Sequence, residues 1–68
     1  MPNPNMDYAD AINIAMRKEK SAMLMYKMLA SLADDEAMRD TFLALSQEEA
    51  KHKLRFETEY DEVVLKED

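Results

Sequence analysis

"SLADDEAM", residues 31–38, decides how this chain folds. On its N-terminal side Ile12, Ala15, Met16, Ala22, Met23, Tyr26, Leu29, Ala30 and Ala33 recur at threes and fours, the spacing of one helical face. That pattern predicts a first helix over about 7–32. Within the quoted stretch it stops, and Asp35 is placed as an N-cap with Glu36 at the positive end of the next helix dipole. A turn over about 33–35 and a second helix over about 36–65 follow. A connection this short makes the two helices antiparallel neighbours, so the expected fold is all-α, a single helical hairpin over residues 1–68.

Composition agrees. The 68 residues include no Gly and only Pro2 and Pro4, which leaves little to build turns from. So short a chain buries little surface alone, and disulfides, a metal or self-association usually make up the difference. There is no Cys, which removes disulfides, thiolate zinc sites and iron–sulfur clusters, and fits a reducing compartment. A net charge of −6, with nine Lys and Arg dispersed among fifteen acids, argues against a nucleic-acid partner. No apolar run reaches the ~20 residues needed to span a bilayer, and the start "MPNPNMDYAD" has no basic segment leading into an apolar one, so no membrane partner is expected. The expected location is the cytoplasm.

In the second helix the inward positions read as Met38, Phe42, Leu45, Glu49, His52, Phe56, Glu59 and Val63, a seam of alternating fours and threes. The first helix has a similar seam through Ile12, Glu19, Tyr26 and Ala33. Counting from Asp34, Glu19 is 15 residues before the turn and Glu49 is 15 after it, each ~22 Å away along its helix. The two carboxylates are level, and His52, one turn beyond Glu49, points into the same space. Buried ionised carboxylates need compensation, and a cation supplies it. One hairpin offers a metal too few donors, but pairing through the unburied apolar stripe would bring together four Glu and two His, the donor set of dinuclear carboxylate bundles.

At these residues the chain resembles the ferritin-like superfamily, nearest to the rubrerythrins and the two-helix encapsulated ferritins. The likeness covers about Ala11 to Phe56, through "EKSAMLMY" and "LADDEAMRDTFLALSQEEAKH". It implies a hairpin that homodimerises into a four-helix bundle, with Glu19 and Glu49 as carboxylate ligands, Glu49 bridging, and His52 as a nitrogen ligand. Tyr26 resembles the family's tyrosine near the metal. The implied cofactor is two iron ions per dimer, with Mn or Zn as other occupants of such donors. The implied function is oxidation of Fe(II) by O2 or peroxide, ferroxidase-like or peroxidase-like, with Glu19, Glu49 and His52 as the catalytic set. Rubrerythrins usually carry a cysteine-rich electron-delivering module; the absence of Cys here makes an external electron donor the expected partner for peroxidase turnover. The ending "DEVVLKED" shows no shell-targeting tail, and encapsulation in a shell stays open as the alternative to a free cytoplasmic protein.

Two other functions fit the same residues. One is a metal-stabilised structural module without turnover, and the other a helical dimerisation module whose polar layer sets register. The seven Met residues suit flexible core filling better than copper. Glu59 is the odd member of the seam, and inversion of the second copy would place it level with the partner's Arg39, giving an exposed intersubunit pair of ~0–1 kcal/mol.

Overall fold

The computed structural model describes residues 7–65. Helix α1 spans Tyr8–Leu32 and helix α2 spans Glu36–Glu59. Each begins on an aspartate. Asp7 closes a capping box with Asp10, accepting from the Asp10 N–H at 2.9 Å, while Asp35 accepts from the Ala37 N–H at 3.1 Å. These bonds satisfy amide donors that the first helical turn leaves without intrahelical partners. Between the helices Ala33 is extended, and Arg39 reaches back to donate to the Ala33 carbonyl at 3.1 Å. Among the described residues none has positive φ, so the turn forms without glycine. Replacing Asp35 by alanine should cost about 1 kcal/mol, read as a lower midpoint in thermal unfolding followed by circular dichroism.

α2 does not run unbroken to residue 65. After Glu59 the backbone widens into a π-helical segment, Tyr60–Val64, closed by the Leu65 N–H donating to the Tyr60 carbonyl at 3.0 Å. Val63 and Val64 are β-branched and crowd an α-turn.

The helices pack as an antiparallel hairpin, a slab of 51 × 25 × 11 Å. At their contact lie Ile12, Ala30 and Ser46, at 7%, 3% and 3% exposure. On α1 every expected inward residue is at least half-buried. On α2 the contact line is rotated from the expected seam, because Ser46, not Leu45, faces α1. Its small side chain allows close approach, and its hydroxyl donates to the Met23 carbonyl at 3.1 Å. Leu45, Met38 and Val63, expected inside, are exposed at 38%, 43% and 53%. Leu45 and Met38 lie on the flank of α2 that a single partner helix does not reach, and Val63 lies in the π-helical segment beyond it. Among the described residues, no helix is long and apolar enough to cross a membrane.

Candidate metal centre

Glu19 from the middle of α1 meets Glu49 and His52 from the middle of α2. One ligand atom from each residue lies within 4.8 Å of the other two. His52 Nδ1 is 3.0 Å from Glu19 Oε2 and 3.2 Å from Glu49 Oε1. The Nδ1–Glu19 contact is a hydrogen bond across the two helices, its donor set by the imidazole tautomer, and Glu49 lies on the other side of the same nitrogen. The equal 15-residue distances from the turn produce the level placement of the carboxylates, and the Glu-x-x-His spacing turns both α2 donors to one side.

The cluster opens to one face of the slab. The carboxylate side chains keep 20% exposure each, whereas His52 keeps 52%. Donors around one ion stand at most ~4.4 Å apart, twice a bond of ~2.2 Å, so small side-chain adjustments would fit these three to a cation. Two carboxylates and an imidazole suit first-row divalent ions such as iron and manganese, and zinc as well. Three donors fall short of four to six ligands, and the open side is where others would enter.

On the side toward the turn, the Tyr26 ring stacks on Phe42 with centroids 6.4 Å apart and planes at 21°. The two rings stand at one height, Tyr26 eight residues before Asp34 and Phe42 eight after, and the contact is aromatic packing. Toward the open end, the Tyr8 hydroxyl donates to Glu59. Sequence reading overlooked this pair, although Tyr8 and Glu59 stand 26 and 25 residues from Asp34 and the same height arithmetic places them together. Glu59 and Arg39 thus each have a partner within the hairpin, Tyr8 and the Ala33 carbonyl.

Hydrogen bonding to the Glu59 carboxylate, with lesser desolvation and charge repulsion, raises the Tyr8 pKa above its ordinary 10.0. A raised folded-state pKa means that the pair's stabilisation is complete below pH 10 and is lost as pH climbs through the higher value. Of the three tyrosines, one should therefore ionise late in an ultraviolet pH titration. Glu59→Ala should return it to the ordinary range; an unchanged titration would mean that the pair does not persist in solution.

An antiparallel hairpin with a carboxylate on one helix facing Glu-x-x-His on the other is the half-unit of the ferritin-like class. The family model described as Rubrerythrin matches residues 10–68, and the chain belongs to that family. Membership implies metal binding, iron in general, and gives the Glu19–Glu49–His52 group its context. No curated protein and no solved structure matches the chain.

Proposed function

We propose that two copies pair through the face that carries Glu19, Glu49 and His52, forming a four-helix bundle whose four Glu and two His hold two iron ions. The observation that carries the reading is the convergence of the three donor atoms within 4.8 Å, from two helices, on one open side. Pairing has independent support. The 5441 Å² of accessible surface exceeds the ~4,400 Å² of a compact protein of this mass by about 1,000 Å². One side of a standard interface covers about 800 Å². Ile12 and Ala30 are the only buried apolar residues among those described, too few for a core, and Leu45 stands exposed one turn from Glu49.

Bound iron would supply the electrons that reduce O2 or peroxide, as in a ferroxidase-like or peroxidase-like oxidoreductase. Glu19 and Glu49 would offset the cationic charge, and His52 would add a nitrogen donor. The Tyr26–Phe42 stack would shield one end of the site from water. With no Cys in the chain, reducing equivalents for repeated turnover would come from an external donor. The test follows oxidation of Fe(II) by O2 or peroxide in the wild type and in Glu19→Ala, with the mass of each measured natively. Rapid oxidation by the wild-type dimer and loss of it in an intact variant dimer supports the reading; equal rates refute it.

A further inference from the structure

The basic residues of this acidic chain gather on one side of the slab. At about 100° per residue, Asn13, Arg17, Lys20 and Lys27 lie about 60–140° round α1 from the buried line of Ile12 and Ala30, on the side away from Glu19 and Tyr26. From α2 Lys53 comes to the same side, and a shallow groove there is lined by Asn13, Met16, Arg17, Lys20 and Lys53. Lys53 is held by Glu57 at 2.6 Å. Arg17, Lys20 and Lys27 make no ion pair among the described residues, although the chain has fifteen acids to nine bases. Between residues 13 and 27 the one acid of α1 is Glu19, on the opposite side; acids return toward the ends of the slab, at Asp40 near the turn and Asp61 in the π-helical segment. Helix energetics do not account for this row. Arg17 and Lys20 are like charges one turn apart, which destabilises a helix, and the macrodipole favours cations in the last turn, where α1 has none. Leu24 stands 52% exposed between Lys20 and Lys27, and Leu54, beside Lys53, is 62% exposed. The complement of such a surface is an apolar patch ringed by acids.

The position of the groove says what kind of acidic partner it takes. Lys20 and Lys53 follow Glu19 and His52 in the chain, so groove and cluster stand at one height on opposite sides of a slab 11 Å thick. The pairing proposed above covers the cluster side, and the groove side becomes the nearest open surface for a protein that exchanges electrons with the centre. We infer that the groove of Asn13, Arg17, Lys20 and Lys53 is the docking surface for a small acidic electron-carrier protein, whose acids meet Arg17, Lys20 and Lys27 around Leu24 and Leu54. Weak electron-transfer encounters bury less than ~1,200 Å² and are guided by charge, so a small cationic patch suffices. The reduced carrier gives one electron to a ferric ion left by the proposed oxidation, which becomes ferrous; no atom is transferred, and the oxidised carrier leaves. The carrier's role rests on the iron reading of the cluster, whereas docking is a property of the metal-free chain as well.

Calorimetric titration of the metal-free protein with an acidic plant-type ferredoxin, at low and at raised salt, tests the docking. Both proteins are acidic overall, so net charge alone would make salt favour their association. Binding through a local patch of opposite sign does the reverse, and the affinity should fall as salt is raised. Arg17→Glu and Lys20→Glu, both exposed, should each weaken binding at least ~10-fold, with helicity, number of chains and iron per chain unchanged. Arg55→Glu makes the same change of net charge on the side of α2 turned away from α1, and should leave affinity within ~2-fold. On the iron-loaded protein, reduced ferredoxin should return ferric iron to ferrous more slowly in Lys20→Glu, while a small neutral reductant acts equally on both. No ferredoxin binding, affinity that rises with salt, equal losses in Lys20→Glu and Arg55→Glu, or ferredoxin-driven reduction that Lys20→Glu leaves unchanged would overturn the inference. Ferredoxin binding through Arg17 and Lys20 by a chain that takes up no iron would instead overturn the metal reading, and the carrier's role with it.

Discussion

Replacing His52 by alanine should remove iron from the protein while leaving it folded. His52 is half exposed, and although its loss removes the hydrogen bond to Glu19, the line of Ile12, Ala30 and Ser46 stays intact. It does supply the sole imidazole of the cluster, and in the proposed two-copy site the substitution would remove two donors at once. Loss of a group that only orients a metal ligand weakens binding ~10–100-fold, and loss of the ligand itself should exceed that. Glu49→Ala should act at least as strongly, because a bridging carboxylate would serve both ions. Calorimetric Fe(II) titration of the two variants beside the wild type measures the effect. Affinity within tenfold of wild type in both would remove these residues from any metal site.

A charge at Leu45 should separate the two hairpins and abolish iron binding although every ligand is present. Leu45 is 38% exposed on the flank of α2 beside Glu49, in the stripe that the second copy would cover. Leu45→Glu would bury a carboxylate next to two others with no cation beyond those the site already binds, at a cost of several kcal/mol. A dissociation constant at least ~100-fold higher, about 3 kcal/mol, is expected from sedimentation equilibrium. The informative feature is the coupling, since Leu45 donates nothing to a metal. Iron lost together with the dimer would show a site shared between chains. Iron bound as tightly by the resulting monomer would show that one hairpin suffices.

The hairpin was legible because its signals are local and agree: apolar spacing on either side of the turn, an aspartate at each helix start, and too few turn residues for anything longer. The level of the cluster was legible for a different reason. In two straight antiparallel helices, distance from the turn is the only coordinate that fixes height, and Glu19 and Glu49 share it. The rotation of α2 was not legible. Its apolar residues lie on more than one side of the helix, and the pattern alone favours the bulky Leu45 over Ser46, the residue the closest approach requires. The π-helical end escaped for lack of Gly or Pro to mark it. The Tyr8–Glu59 bond escaped because polar residues at the ends of helices are usually solvated and carry little pattern.

The most direct measurement is an anaerobic Fe(II) titration of the metal-free protein with native mass recorded at each addition, followed by O2 or peroxide and near-ultraviolet absorbance. A site shared by two hairpins predicts saturation near two irons for every two chains, no iron on single chains, and a ferric absorbance band that Glu49→Ala does not develop. A paired, folded protein that takes up no iron, or that binds it equally well in Glu49→Ala, would contradict the assignment of Glu19, Glu49 and His52 as the metal centre.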